Sequence, residues 1–317
     1  MAGKLEAICT SLRRGIPKTS VSSAQLRRNH GIEGDAHAGP GHRQVSLLAH
    51  EQIEAFKMSG QIELRAGAFA DNLVVSAIDL GSLGLGSRVR VGTDAILTIT
   101  QLGKPCHQRC AIYDKTGDCL MPRAGLFARV LAGGAVAVGD AVAIEQVVER
   151  SRFQAVVLTL SDRCAAGTAQ DTAGPAVADL LRESLPAHIY TTEILPDGRA
   201  GLAERLRHYA DGHGIDLVLA VGGTGPAPRD ETPEAIRDVV ERLTPGFDEA
   251  MRQASMVVTP LAMLSRACSG IRGSTLILSL PGSKRAAVDN LRAILPALPH
   301  GLAKLRGDPA DCGHPTA

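Results

Sequence analysis

Hydrophobic and polar positions follow two different patterns along the chain. Up to about Glu145, short β-prone runs alternate with glycines: Val89-Arg90-Val91, then 95–100, 135–138 and 141–144, punctuated by Gly84, Gly86, Gly92, Gly103, Gly133, Gly134 and Gly139. Closely spaced strands with turn signals predict an antiparallel sheet or barrel. A strand at 44–48 leading into a helix at 49–56 is the one helical feature expected there. From Arg150 onward, continuous apolar runs alternate with amphipathic stretches. The runs at 155–160, 217–221 and 275–280 read as strands buried on both faces, and 188–195 as a further strand. Helices are expected at 175–184, 198–210 and 286–295, and another opens at Thr232-Pro233-Glu234 with Thr232 as cap and Pro233 in the first turn. This rhythm predicts an α/β doubly wound, mainly parallel sheet. The charged stretch 146–152 is the expected joint, giving domains at 1–147 and 152–317.

Composition narrows the functional classes. The chain has 317 residues, a formal net charge of +1 and 44% hydrophobic residues. That is enough apolar surface for two cores, with no charge excess suggesting nucleic acid. Seven cysteines, an odd number in a chain of this length, do not make a disulfide framework. No apolar run reaches the roughly 20 residues of a membrane helix, and Met1 to Arg14 lacks a signal-peptide core. A cytoplasmic protein without membrane or nucleic-acid partners is expected.

The second half carries a phosphate-handling set. Strand 217–221 ends in Gly222-Gly223-Thr224-Gly225, followed by Arg229-Asp230. Glycines at a strand's carboxyl end let backbone N–H groups form an anion nest. Arg229 offers a planar fork for phosphate, and Asp230 an oxygen donor suited to hydrated Mg²⁺. Strand 155–160 ends in Ser161-Asp162-Arg163, and Asp171 precedes a helix, where a carboxylate is ordinarily a cap.

Several strings occur in order: Thr159-Leu160-Ser161-Asp162-Arg163, Asp171-Thr172-Ala173-Gly174-Pro175, Gly222-Gly223-Thr224-Gly225 through Arg229-Asp230, Thr259-Pro260-Leu261-Ala262-Met263-Leu264-Ser265-Arg266, Gly270-Ile271-Arg272-Gly273-Ser274-Thr275-Leu276, and Leu280-Pro281-Gly282-Ser283. This series resembles the molybdopterin adenylyltransferase family, which includes the G domains of gephyrin and of the plant cofactor-synthesis protein. The resemblance spans about 153–307. It implies transfer of AMP from ATP to the phosphate of molybdopterin with Mg²⁺, releasing pyrophosphate. It implies Asp171 and Asp230 as catalytic and metal residues. Ser161, Asp162, Gly222, Gly223, Thr224, Gly225, Arg229, Ser265, Arg272, Gly273, Ser274, Pro281, Gly282 and Ser283 are then the binding residues. It also implies a homo-oligomer, a trimer by family habit. One departure is Lys284-Arg285, where the family often has Pro after the Pro-Gly-Ser turn.

In the first half, Gly34-Asp35-Ala36-His37-Ala38-Gly39, His42-Arg43-Gln44-Val45-Ser46-Leu47-Leu48, Gly67-Ala68-Phe69-Ala70-Asp71-Asn72-Leu73 and Leu102-Gly103-Lys104-Pro105-Cys106 resemble the MOSC domain, a β-rich barrel family. Asp71 stands where that family commonly has Glu. The resemblance implies binding of molybdenum cofactor or sulfur transfer at Cys106, whose neighbours Lys104, His107 and Arg109 favour a thiolate. His37, His42 and Arg43 are candidate anion contacts. A zinc site from Cys106, His107, Cys110 and Cys119 is the other reading, without the paired spacing of structural zinc. Both halves point to one cofactor. The expectation is therefore a fusion that adenylylates molybdopterin and then binds or sulfurates the cofactor, with other cofactor-synthesis proteins or molybdoenzymes as partners. A non-catalytic molybdopterin carrier is the alternative.

Overall fold

The structure is a computed structural model that describes residues 2–60, 64–103, 113 and 118–309. It divides into two compact units, Met1–Ser151 and Arg152–Ala317. Among the described residues no helix is long and apolar enough to cross a membrane.

The first unit is a closed barrel. Its strands are β1 (Gly3–Thr10), β2 (Thr19–Val21), β3 (Ser23–Arg27), β4 (Gly31–Ile32), β5 (Val45–Ala49), β6 (Leu73–Ser76), β7 (Arg88–Val91), β8 (Ala95–Leu102), β9 (Leu126–Ala132), β10 (Gly134–Ala137) and β11 (Ala141–Gln146). The main sheet runs β11-β7-β8-β9-β5-β6-β1-β2, and pairing of β1 with β11 closes it, while β10-β3-β4 form a separate three-stranded sheet. Strand β5 is buried along its whole length because α1 (His50–Gly60) packs against it. Its parallel pairing with β6 is an exception to the otherwise antiparallel barrel, and the intervening α1 makes that crossover possible.

Polar groups inside this barrel are paired. Asn72 donates to the carbonyl of Cys9 at 3.0 Å and accepts from the N–H and hydroxyl of Ser46 at 3.1 and 3.0 Å. Asp71 is fully buried and accepts from the N–H groups of Gly67 and Phe69 at 2.8 and 3.1 Å. Burial pushes its pKa up, and those N–H groups only partly offset the effect. The Asp-Asn-Leu string that stood out in the sequence is thus a brace joining the 67–71 turn to the barrel, and the Glu-to-Asp departure falls on that brace.

Lys18 and Asp35 form an ion pair at 2.5 Å with both side chains fully buried. Burial raises the Asp35 pKa, but hydrogen bonds from His37, Lys18 and the N–H of Ser11 outweigh it, leaving the pKa well below the usual carboxylate range. Lys18→Ala would strand that carboxylate in the interior. It is expected to cost about 3 kcal/mol, read as a lower denaturant midpoint for the first unit with the second unit's transition unmoved.

The second unit contains β12 (Phe153–Leu160), α2 (Asp162–Ala165), α3 (Ala173–Ser184), β13 (Ala187–Leu195), α4 (Arg199–Arg207), β14 (Leu217–Val221), α5 (Thr232–Arg237), β15 (Arg242–Leu243), α6 (Pro245–Met256), β16 (Ser269–Arg272), β17 (Thr275–Leu280), α7 (Lys284–Ile294) and α8 (Leu298–Leu305). The sheet order is β13-β12-β14-β17-β16-β15. Strands β13, β12, β14 and β17 are parallel, while β16 and β15 add an antiparallel edge. The chain leaves β12 to one side for β13 and returns to the other side for β14. That reversal is a topological switch point, and in such sheets the crevice beyond the strands' carboxyl ends takes the ligand. The core includes Val157, Leu219, Leu278, Val177, Leu181 and Leu291, the continuous strand runs meeting the apolar faces of α3 and α7.

The expected helix over 198–210 ends at Arg207 and widens into a π-turn at His208–His213, closed by Gly214 at φ +65°. Thr232 is not the cap of α5. It is the first helical residue, and its hydroxyl donates to the Gly222 carbonyl at 2.8 Å.

Candidate active site

The site is built where the loops after β12, β14 and β17 meet. Gly222, at φ +116°, donates its N–H to the Leu280 carbonyl at 2.9 Å. A Cβ on Gly222 would sit 2.4 Å from the Leu160 carbonyl oxygen, and one on Gly282 would sit 3.3 Å from the Gly222 Cα. These close approaches bring Leu160, Gly222, Pro281, Gly282 and Ser283 to one edge. Ser283 caps α7, accepting from the Ala286 N–H at 3.4 Å. Lys284 and Arg285 open that helix on the exposed surface.

The loop from Gly222 to Glu231 has its carbonyls turned inward. Gly222 O accepts from the Thr232 hydroxyl, Gly223 O from the Thr232 N–H at 3.2 Å, and Thr224 O from the Arg266 N–H at 2.9 Å. Gly225 O accepts from Arg266 Nε at 2.9 Å and Asp230 O from Arg266 Nη2. Among the described residues, none accepts from the N–H groups of Gly223, Thr224 or Gly225. Thr224 is buried, so an N–H there calls for a partner. Consecutive unpaired N–H groups beside glycines at φ +116° and +61° are the construction of an anion nest.

Arg229, which follows the nest in the same loop, joins it to two acidic loops. Arg229 bonds Asp162, and Asp197 at 3.0 Å. The Asp162 N–H donates to the Asp197 carboxylate at 3.2 Å and the Asp197 N–H to the Asp162 carboxylate at 2.9 Å. Attraction to Asp162 leads the causes that raise the Arg229 pKa. Ser161 lies at the start of this loop and caps α2, accepting from the Cys164 N–H at 3.3 Å.

Asp171 accepts from the Thr159 hydroxyl at 2.7 Å and from the N–H groups of Ala173 and Gly174, both at 3.0 Å. Its carboxylate therefore fills the capping role at the start of α3. Gly174 packs closely beneath it: a Cβ there would meet Thr159 Oγ1 at 2.4 Å and Asp171 Oδ2 at 2.5 Å, so one of those side chains would have to move. Asp230 accepts from the Ala227 N–H at 3.2 Å through Oδ2. Each carboxylate keeps acceptor capacity, and both belong to loops on the ligand side of the sheet. Among the described residues no three His, Cys, Asp or Glu side chains converge as a ready metal cage.

Three expected binding residues fall elsewhere. Arg272 pairs with Thr275 across β16 and β17, leaving Gly273-Ser274 as a two-residue hairpin turn with Gly273 at φ +56°. The turn precedes β17, whereas Pro281, Gly282 and Ser283 follow it, so a six-residue strand separates the two groups within this chain. Arg272 is committed to Asp211, at 2.8 and 2.7 Å, and to the Val239 carbonyl. Ser265 takes an intermediate place: its carbonyl accepts from Arg252 Nε at 3.3 Å, and it directly precedes Arg266. Arg266, Thr159 and Asp197 were not singled out from sequence. Arg266 sat inside a flagged string, but no local pattern marks a residue whose partners lie more than 30 positions away.

In the first unit, Cys106 lies outside the described residues, as do Lys104, His107, Arg109 and Cys110. Cys119 is buried in an apolar cluster with Ile53, Phe69 and Met121. His37 Nδ1 stands 3.1 Å from Lys18 Nζ. Arg43 is half-buried, bonds the Gln101 side chain at 2.5 Å and lies 5.8 Å from the Phe127 ring. Gln101 in turn donates to the Gly103 carbonyl at 2.9 Å. The His42 carbonyl accepts from Thr100 at 2.6 Å.

Two family models match separate parts of the chain. Residues 156–300 match the family described as a probable molybdopterin binding domain, and residues 33–143 match the MOSC domain. The molybdopterin adenylyltransferase of Helicobacter pylori is 40% identical over 154 residues, covering 48% of this chain and 87% of that protein. That of Escherichia coli is 39% identical, covering 44% and 71%. The structure of the molybdopterin biosynthesis enzyme MoaB from Thermus is 44% identical, covering 50% of this chain and 99% of that one at a TM-score of 0.47. The chain belongs to the molybdopterin adenylyltransferase family.

Proposed function

We propose that the Arg152–Ala317 unit transfers AMP from ATP to the phosphate of molybdopterin, and that the Met1–Ser151 unit binds or sulfurates the molybdenum cofactor. The observation that carries the first part is the nest at the sheet's switch point: among the described residues no group accepts from the N–H of Gly223, Thr224 or Gly225, and the carbonyls of Gly222 to Gly225 are already taken. Such a run of N–H groups accepts an anion. Relatives about 40% identical are named for this reaction, and the MOSC match supports a cofactor role for the first unit.

In the reaction, an oxygen of the molybdopterin phosphate attacks the α-phosphorus of ATP, the bond to the β-phosphate oxygen breaks, and pyrophosphate leaves with the electron pair. The nucleophile is already an anion, so no general base is required. The protein's task is placement and stabilisation of charge. The N–H groups of Gly223, Thr224 and Gly225 would hold phosphate oxygens. Arg229 would exchange Asp162 and Asp197 for phosphate, its fork suiting both partners. Mg²⁺, held by Asp171 and Asp230, would neutralise charge on the triphosphate. The test is molybdopterin-dependent release of pyrophosphate from Mg-ATP. Asp230→Asn is expected to slow it about 100-fold or more in single turnover. An unchanged rate would remove Asp230 from the metal site.

A further inference from the structure

We infer that Arg266 is a positioning residue of this site, the fastener that keeps the 222–231 loop in its anion-binding shape. The inference rests on the adenylyl-transfer reading for its kinetic consequence, but not for its geometry. Arg266 enters from the segment between α6 and β16 and reaches both ends of the loop. Its main-chain N–H bonds Thr224 O at 2.9 Å, its Nε bonds Gly225 O at 2.9 Å, and its Nη2 bonds Asp230 O. Two further guanidinium hydrogens engage Glu234 on α5, Nη1 to Oε1 at 2.6 Å and Nη2 to Oε2 at 3.4 Å. One side chain thus ties the start of the loop, its end and the following helix.

The consequence is chemical as well as mechanical. A peptide carbonyl left pointing into the nest would repel a phosphate oxygen. Arg266 draws three carbonyls of the loop to itself, and Thr232 draws the two before them. Turning the Thr224 carbonyl toward the Arg266 main chain presents the Gly225 N–H to the opposite side, and the side-chain bonds to Gly225 O and Asp230 O hold the rest of the loop in that shape. Arg229 and Asp230, the charged residues assigned to the reaction, lie within the span so fixed. Lysine cannot replace this function, because an ammonium is a compact point charge without the planar fork needed for acceptors in several directions.

The test uses the full chain and the variants Arg266→Lys, Arg266→Gln and Glu234→Gln. Amide hydrogen exchange is read first, without ligand. Faster exchange in both Arg266 variants confined to the 222–231 loop, with β12, β14 and β17 as protected as in wild type, is the expected result. Steady-state kinetics with Mg-ATP and molybdopterin then follow. Arg266→Lys should lower kcat about 100-fold while the molybdopterin KM stays within about threefold. Glu234→Gln should show a smaller loss of the same kind. Wild-type turnover by Arg266→Lys, or unchanged loop exchange, would overturn the assignment. So would protection lost equally throughout the sheet, since Arg266 would then serve folding at large. If the wild type forms no adenylyl product, the reaction assigned above fails, and the exchange measurement alone still decides whether Arg266 fastens the loop.

Discussion

Gly222→Ala is expected to destabilise the second unit by about 3 kcal/mol, lowering its melting temperature by roughly 10 °C, and to leave no measurable adenylylation. Two independent costs meet at this residue. Its φ of +116° is a region where an L side chain is strained. Its Cβ would also lie 2.4 Å from the Leu160 carbonyl oxygen and 3.4 Å from Leu160 Cβ. The first of these is a main-chain atom of β12, so no rotamer change relieves it. The backbone must move, and it moves the nest. Gly301→Ala is the matched control. Gly301 lies within α8 with open space around its Cβ position, so alanine there should be neutral or slightly stabilising. Thermal unfolding of the two variants checks the contrast. A Gly222→Ala protein melting within about 2 °C of wild type would show that β12 and β14 do not approach as described.

Asp171→Asn is expected to slow adenylyl transfer about 100-fold or more with little change in stability. The bonds around Asp171 make this substitution informative. Oδ1 accepts from the two helical N–H groups, a role the asparagine oxygen keeps. Oδ2 accepts from the Thr159 hydroxyl, which can rotate and accept from an amide NH₂ instead. The cap and the strand contact survive, so the substitution removes charge and a metal-binding oxygen alone. Asp171→Ala, in contrast, also removes the cap and should cost about 1–2 kcal/mol. Single-turnover rates beside melting curves separate the two roles. If Asp171→Asn keeps the wild-type rate, Asp171 is a helix cap and nothing more.

How much of this was legible in the chain depended on the range of the signal. The strands Phe153–Leu160, Leu217–Val221 and Thr275–Leu280 are buried on both faces, and continuous apolar runs state that directly. The closing pair of the barrel, Gly3 with Val142, spans nearly the whole first unit and left no local trace. The edge strand Arg242–Leu243 is two exposed residues, too short for any periodicity. Arg272, Gly273 and Ser274 were grouped with the phosphate residues because their string belongs to the same family series. A string does not state at which end of its strand it lies, and the hairpin turn puts these three before β17. Thr232 reads as a cap by residue type, yet its hydroxyl is taken by Gly222 O. Arg266 is the deepest omission: its partners are 32 to 42 positions distant, and nothing short of the folded loop reveals them.

The most direct measurement is detection of molybdopterin-AMP by mass spectrometry after mixing the full chain with molybdopterin, ATP and Mg²⁺, beside Asp230→Asn. Adduct and pyrophosphate in equal amounts from the wild type, with little from the variant, is the predicted result. Molybdopterin held tightly by both proteins with no adduct from either would contradict adenylyl transfer and make the second unit a carrier.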